Sequence, residues 1–373
     1  MKCLVTGANG FVGRNLIAHL QTMKIHEIYE VDLDTSAIQL DHYTRDCEFV
    51  FHLAGVNRPE DPAEFMSGNF GFTSTLLDLL EKHRNTSPVL ITSSIQAELN
   101  NPYGASKKAG EDLLFAYGKK HESTVYVYRL ANLFGKWSRP NYNSVVATFC
   151  YNISHDLPIS ISDREYTLEL CHIDDVVLEF VNAISGVTNK KNEFCIVPTT
   201  TVISLGDLAD KLVAFRATRD NLYLPVLNTD FDRALYGTYL SYLDTENFAY
   251  DLKKNSDNRG WLAEFIKSST LGQVFVSKTK SGITRGNHWH HTKAEKFLVI
   301  QGDAVIRFRH IFSKQVITYI VNGDHPRVLD IPTGYTHNIT NTGEGELITL
   351  FWSTEVFDPA KPDTYSAEVT KDE

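Results

Sequence analysis

Near residue 245 the sequence changes texture, and that change constrains the fold more than any other feature. Before it, short apolar runs alternate with helical patterns. "KCLVTG" reads as a buried strand, and "GFVGRNLIAHLQ" as a helix with apolar residues three and four apart. "HEIYEVD", "FVFHLAG", "PVLITSS" and "TVYVYRLAN" are further strand candidates, separated by helix-like stretches such as "STLLDLLEKH". Repeated β-then-α units predict a doubly wound, Rossmann-like parallel sheet covered by helices on both faces. "VISLGDLADKLVAF" reads as one more helix, with Ser204 as its N-cap and Asp207 in its first turn. Beyond 245, "GQVFVSK", "KFLVIQG", "AVIRFRH", "VITYIVNGD", "RVLDIP" and "LITLFWS" are short strand-like runs broken by Gly, Asn, Asp and Pro. Strands without intervening helices predict an antiparallel sandwich or barrel. The fold class is therefore α/β followed by all-β, with domains at 1–245 and 246–373. The tyrosine-rich stretch "TYLSYLDTENFAYDLKKNSDNRG" reads as the linker.

A length of 373 residues agrees with two cores. The net charge of −10 argues against nucleic acid or an anionic membrane as a main partner, though a local basic site for a phosphorylated ligand remains open. Cys3, Cys47, Cys150, Cys171 and Cys195 are an odd, scattered set with no CxxC spacing, so reduced thiols in a cytoplasmic protein are expected. The chain runs directly into a strand, which predicts no signal peptide, and its apolar runs are too short to span a bilayer.

Gly7, Gly10 and Gly13 fall at the first strand-to-helix junction. There they allow a tight turn, close approach of the backbone to a pyrophosphate, and packing of helix on strand, with the helix N-terminus facing the phosphates. Phe11, Val12 and Arg14 flank the third glycine, and Leu53, Ala54 and Gly55 follow the third predicted strand, so these also enter the candidate cofactor site. In "TSSIQAELNNPYGASK", Tyr103 and Lys107 are four apart, which on a helix puts them on one face. A Lys ammonium there, beside an oxidised nicotinamide, lowers the tyrosine's pKa and equips it to exchange a proton with a carbonyl. Ser94 ends the preceding strand, where it can hydrogen-bond the same carbonyl.

"TGANGFVG", "HLAG", "TSS", "YGASK", "RLANLFG" and "HIDDVV" occur in the order and spacing of the extended short-chain dehydrogenases, which residues 1–240 resemble. Those enzymes reduce, oxidise, epimerise or dehydrate nucleotide sugars, and the resemblance implies Ser94, Tyr103 and Lys107 as the catalytic triad. Signals for the cofactor conflict. Asp32 closes the second strand where an acidic group bonds a ribose 2′-hydroxyl and favours NAD, whereas Arg14 is placed to meet a 2′-phosphate. NADPH is the expectation, with NADH as the alternative. Asn132, Lys136, Arg139 and Asn143 lie where extended reductases wrap the nucleotide diphosphate, with Arg58 and Asn69 as weaker substrate candidates.

In the second domain Gly282 precedes His288 by five intervening residues; His290, then Glu295 and Gly302, follow at cupin spacing. "PTGYTHNITN" supplies Pro332, Gly334, His337 and Asn341, and the two boxes resemble the paired motifs of the cupin superfamily, a double-stranded β-helix or jelly roll. Gly323 stands too far upstream of Pro332 for that pattern, which loosens one turn and leaves the ligand set intact. On a strand His288 and His290 face the same side; with Glu295 and His337 they give three imidazoles and one carboxylate, leaving an open position on zinc, iron, manganese or nickel. One divalent metal is expected, zinc in the first place. His291 points to the other side and is excluded. "DNRGWLAEF", "GITRGNHW" and "IPTGYTH" also resemble the dTDP-4-keto-sugar 3,5-epimerases, in which the histidine at the position of His288 is a base and no metal is present. Both readings of His288 stand.

Across nearly the whole chain the combination resembles the bifunctional capsular-polysaccharide enzymes of the CapF family, through "NPYG-SK", "GKW", "PNYNSV-ATFCY" and "GNHWHHTK-EKFLV". The resemblance implies that the cupin epimerises C3 of a UDP-2-acetamido-2,6-dideoxy-4-ketohexose. The reductase domain would then reduce the 4-ketone with NADPH to UDP-N-acetyl-L-talosamine, the L-fucosamine precursor. The epimerisation base is not identified; Arg285 is a candidate contact to the diphosphate, and a homodimer is expected. Two rivals remain: a reductase with the cupin as a dimerisation module, and a cupin that is a metal oxygenase or isomerase on an unrelated acid.

Overall fold

Strands β1 (Lys2–Thr6), β2 (Glu27–Val31), β3 (Phe49–His52), β4 (Val89–Ser94) and β5 (Val125–Leu130) pair in parallel in the order β2-β1-β3-β4-β5. The structure is a computed structural model and describes residues 1–25 and 27–370. The near-continuous burial of β1 and β3 is what a sheet covered on both faces requires. Alternate residues serve opposite cores. Cys3, Val5, Phe49 and Phe51 pack with Leu16, Ile17 and Leu20 of α1 (Phe11–Thr22) and with Val176, Val177 and Phe180 of a later helix. Leu4, Val50, Val89 and Ile91 face the other way, against Leu40 of α2 (Ala37–Asp46) and a second helical layer. That layer begins at α3 (Ala63–Phe65), runs through a π-helical turn at Met66–Gly71 into α4 (Phe72–Lys82), and continues with α5 (Pro102–His121).

A small sheet of β6 (Asn132–Phe134), β7 (Thr167–His172) and a third strand follows, with α6 (Val145–Ser154) and α7 (Ile173–Ile184). The hairpin β8 (Lys190–Lys191) and β9 (Phe194–Cys195) extends the large sheet at its β5 edge. The predicted helix from Val202 divides. Thr201–Ser204 is β10, antiparallel to β7, and α8 (Leu205–Asn221) starts at the Ser204 cap, whose Oγ accepts the Asp207 N–H at 3.0 Å. The predicted linker also divides: α9 (Asp230–Leu240) takes its first residues, Tyr239 is fully buried, and the Tyr242 hydroxyl donates to the Ser138 carbonyl at 2.6 Å.

The chain forms two compact units, one of residues 1–213 and 227–243 and the other of 214–226 and 244–373. Where the sequence places one boundary at 245, residues 214–226 go with the second unit. There Leu224 donates to the Lys267 carbonyl at 2.8 Å and Lys267 to that of Leu222 at 2.7 Å.

The second unit is antiparallel throughout its two sheets. One sheet is β11 (Lys254–Asp257), β12 (Gly260–Ser268), β13 (Gly272–Thr279), β20 (Leu347–Ser353), β15 (Glu295–Gln301) and β18 (Val328–Ile331), in that spatial order. The other is β17 (Val316–Asn322), β16 (Asp303–His310), β19 (Tyr335–Asn341), β14 (Thr284–Trp289) and β21 (Tyr365–Ser366). Phe297, Val299, Ile306, Phe308, Ile339 and Phe351 fill the space between them. This is a jelly-roll sandwich, and the expected Rossmann-plus-cupin architecture is what the chain adopts. No helix among the described residues is long and apolar enough to cross a membrane.

Candidate active site and metal centre

Gly7 ends β1 at φ +67°, so close to the loop after β3 that a Cβ there would lie 2.8 Å from the Ala54 amide nitrogen. A Cβ on Gly13 would lie 2.2 Å from the Gly7 carbonyl. Both positions require glycine. Thr6 seals the junction: its Oγ1 accepts the Leu53 and Ala54 N–H groups at 3.2 and 3.1 Å and contacts His52 Nδ1 at 2.8 Å. Burial depresses the His52 imidazole to about 3, so it stays neutral. The β1 and β3 loops meet where strand order reverses, the crevice in which doubly wound sheets bind ligands. Helix α1 opens there on Gly10 with no side-chain cap and no acidic residue in its first turn. Phe11 and Val12 are half-buried against the core, and Arg14 is exposed. A glycine cradle with free helix N–H groups fits a dinucleotide pyrophosphate. Asp32 turns its Oδ2 onto the Asn9 N–H at 2.8 Å and its Oδ1 onto the Leu33 N–H at 2.9 Å.

Asn101 caps α5 by accepting the Gly104 N–H at 2.8 Å, and Pro102 occupies its first turn. Gly104 allows the helix start to sit on the 3₁₀ turn Ile95–Glu98, since a Cβ there would lie 2.4 Å from the Gln96 carbonyl. That contact sets Tyr103 and Lys107 beside the end of β4, where Ser94 hydrogen-bonds the tyrosine. Lys107 Nζ lies 5.9 Å from the Tyr103 ring centroid and donates to the Thr92 carbonyl at 3.3 Å. Gly55 lets the β3 loop close in as well, for a Cβ there would stand 2.9 Å from Lys107 Nζ. Burial lowers Lys107 to about 8, opposed by Glu111. The lowered pKa expected of Tyr103 belongs to the complex with an oxidised nicotinamide; in the protein alone, burial outweighs the Ser94 hydrogen bond and raises the phenol.

One group behind this site escaped the sequence reading. Glu111, fully buried one turn past Lys107, accepts from Arg129 Nε and Nη2 at 2.9 and 2.7 Å and from Ser93 Oγ at 2.5 Å. Its spacing from Tyr103 and Lys107 was visible; its partner on β5 was not. Asn69, in the π-helical turn, is spent on structure. Its side chain accepts the Val56 N–H at 2.8 Å and donates to Ser106 Oγ at 2.9 Å. Arg58 donates to the Tyr142 carbonyl. Among the substrate candidates, Asn132 donates to the Glu169 carbonyl at 3.2 Å and Lys136 pairs with Asp174 at 2.8 Å. Arg139 lies 5.2 Å from the Tyr142 ring centroid, and Asn143 is exposed in the turn before α6. None of these contacts joins them to Ser94, Tyr103 or Lys107.

In the second unit His288, His290, Glu295 and His337 converge, with one ligand atom of each within 4.8 Å of the others. His288 on β14 and His337 on β19 are direct cross-strand neighbours, and Glu295 opens β15. As their spacing of two predicts, His288 and His290 turn to the same side. A bulge at Asn287, φ +60°, shifts the register, and His290 lies just past the end of β14. The second motif box meets the first directly, as the Gly334 N–H donates to the His290 carbonyl at 3.0 Å. His291 is exposed, with its ring 4.3 Å from that of Trp289. Arg285, half-buried, donates Nε to Thr279 Oγ1 at 2.9 Å. Burial and the neighbouring Arg259 pull its pKa down.

The donor set itself tests the fit to a metal. His290 Nδ1 faces the Asp363 carbonyl and His337 Nδ1 the Tyr335 carbonyl at 3.3 Å; carbonyls only accept, so each Nδ1 carries the proton. Both Nε2 atoms are then bare lone pairs, buried and, among the described residues, without a hydrogen-bond donor, each 3.3 Å from Glu295 Oε2. Three acceptors facing one another need a cation or a proton between them, and three imidazoles with a carboxylate suit zinc.

Residues 3–196 match the NAD dependent epimerase/dehydratase family, and residues 255–365 the polysaccharide biosynthesis C-terminal domain. Over 369 residues the chain is 44% identical to the UDP-2-acetamido-2,6-beta-L-arabino-hexul-4-ose reductase of Pseudomonas aeruginosa, covering 99% of each chain. It is similar, at 48% identity and a TM-score of 0.94, to the crystal structure of the capsular polysaccharide assembling protein CapF from Staphylococcus aureus, covering 99% of this chain and 100% of that one. A structure of CapF with the inhibitor 3-isopropenyl-tropolone matches at 43% identity and a TM-score of 0.89, again over 99% and 100% of the chains. Full-length identity at this level, with one family matched over half the chain and a second domain matched in the remainder, places the protein in the NAD dependent epimerase/dehydratase family and, within it, among the two-domain CapF proteins.

Proposed function

We propose that the chain is a bifunctional nucleotide-sugar enzyme for capsule or O-antigen synthesis. The cupin unit epimerises C3 of a UDP-2-acetamido-2,6-dideoxy-4-ketohexose, and the first unit reduces the 4-ketone with NADPH to UDP-N-acetyl-L-talosamine. The reading is supported by the pairing, on one chain, of a proton-donating tyrosine site with a pocket of convergent imidazoles. The reductase named for the Pseudomonas aeruginosa relative agrees with the first half.

Gly7, Gly10 and Gly13 would hold a nicotinamide dinucleotide, which would supply the hydride. Tyr103 donates its phenolic proton to the carbonyl oxygen, and Ser94, within reach of Tyr103, hydrogen-bonds that oxygen and holds it in place. Lys107 lies beside the ring and its positive charge favours the phenolate left behind. Exposed Arg14, with Asp32 engaged by loop amides, supports NADPH over NADH.

In the cupin, the 4-ketone acidifies the C3–H, so a base removes that proton and an acid returns one to the opposite face. His288, His290, Glu295 and His337 would hold a divalent cation, which would supply positive charge for the oxygen on which negative charge develops. One ketone thus activates C3 in the cupin and is consumed at Tyr103, a chemical reason to join the two units. The protein acts as a homodimer, which sedimentation velocity tests.

The test incubates the 4-keto sugar with enzyme in D₂O without nicotinamide. Deuterium enters C3, and His288→Ala and Glu295→Ala abolish its entry. No exchange with the native enzyme would sink the epimerase reading and leave the cupin a structural module. Adding NADPH or NADH to the same mixture compares the two cofactors directly.

A further inference from the structure

The last described segment of the chain is fastened across the candidate metal centre. Strand β21 pairs with β14, setting Ser366 opposite His288 and Tyr365 opposite Trp289. The Ala367 N–H donates to the Asn287 carbonyl at 2.9 Å, and Thr336 Oγ1 donates to the Ala367 carbonyl. Arg309, only 4% exposed, donates Nε and Nη2 to the carbonyls of Val369 and Glu368 at 2.9 and 2.6 Å.

Asp363 stands where this segment begins. Its Oδ1 accepts the His291 N–H at 2.9 Å, and its Oδ2 accepts the N–H groups of Thr292 and Lys293 at 2.8 and 2.9 Å, plus Thr292 Oγ1 at 3.0 Å. Three consecutive amides thus point at one carboxylate, and they belong to the turn joining His290 to Glu295. The same residue's carbonyl accepts the His290 Nδ1–H, the bond that leaves Nε2 bare toward Glu295.

We propose that Asp363 is a positioning residue for the metal centre, clamping the turn between two of its ligands and fixing the tautomer of His290. The inference rests on the metal reading above. Loss of the carboxylate frees residues 291–293 and, with them, the approach of the Asp363 carbonyl to His290. Partners of this kind are worth about 10- to 100-fold in metal affinity.

The experiment titrates the metal-stripped full-length chain with cobalt(II) alone, reading affinity from the visible absorption of the bound ion, and records melting midpoints in chelator. Asp363→Ala is expected to bind about 10- to 100-fold more weakly than the native chain. Asp363→Asn falls between, since its one carboxamide oxygen serves part of the set and its N–H₂ opposes the rest. Asp358→Asn, which alters a carboxylate that accepts the Ala360 N–H, binds as the native chain does. Affinity of Asp363→Ala within twofold of native overturns the inference while the metal reading stands. Collapse of the metal-free fold in both Asp363 variants also overturns it, assigning the carboxylate to folding. A native chain that takes up no cobalt removes the metal reading and this inference together.

Discussion

Lys107 costs the fold what it gives the chemistry, and the cost is measurable. Burial lowers its ammonium from 10.5 to about 8 despite Glu111. At about 1.4 kcal/mol per pH unit, that depression opposes folding by about 3 kcal/mol wherever both states are protonated. Lys107→Met removes the charge and keeps the stem. It also loses the hydrogen bond to the Thr92 carbonyl, worth about 1 kcal/mol. The variant is therefore expected to gain about 2 kcal/mol in stability below pH 8 while losing ketone reduction. The pH dependence carries the sign. A lysine with a depressed folded-state pKa penalises the native protein most below the folded value, and the penalty fades as pH rises from about 8 to 10.5. The advantage of Lys107→Met over the native chain must shrink across that window. Urea unfolding followed by the helical circular dichroism signal, which the first unit mostly carries, reads the difference at each pH. A variant less stable than native at pH 7, or an advantage that does not change up to pH 10.5, would refute the reasoning.

Glu111→Gln leaves the Arg129 guanidinium with the exposed Glu98 as its remaining ion-pair partner, and should destabilise the first unit by about 3–5 kcal/mol. It also withdraws the charge that holds Lys107 up, so the alkaline limb of the pH–rate profile for ketone reduction should move to lower pH; an unmoved limb would count against that support. Gly13→Ala forces the dinucleotide loop apart, because the new Cβ meets the Gly7 and Ala8 carbonyls at 2.2 and 2.8 Å. Fluorescence titration should show at least tenfold weaker NADPH binding, about 1.4 kcal/mol, whereas Gly237→Ala, with nothing within 4 Å, should bind as native.

Local spacing carried much of the candidate sites into view. Gly7, Gly10 and Gly13 mark a strand-to-helix junction through the absence of a Cβ, and Tyr103 with Lys107 marks one helix face, because both rules depend on neighbours in the chain. The buried support of each site was hidden because its partners are remote. Glu111 repeats the four-residue spacing of Tyr103 and Lys107, yet only the pairing of β4 with β5 shows that it faces Arg129. Ser204 was legible as a helix cap, but the residues before it became β10 because β7 offers Val202 and Ile203 a partner strand. Propensity cannot see such a partner.

The cupin shows the same limit at the level of a single ligand. Two histidines two apart predict a shared face, and they do converge; the spacing does not show the bulge at Asn287, after which His288 stands opposite His337. Asn287 holds a left-handed conformation while its Oδ1 accepts from Asn338 Nδ2 at 2.8 Å and its carbonyl accepts from Ala367. The bulge beside His288 is therefore held by residues some 50 and 80 positions downstream, in β19 and in the C-terminal segment. A histidine motif names the atoms able to hold a cation. The affinity with which they hold it depends on strands that the motif does not contain, so substitutions between Asp363 and Val369 should weaken metal binding without touching any ligand.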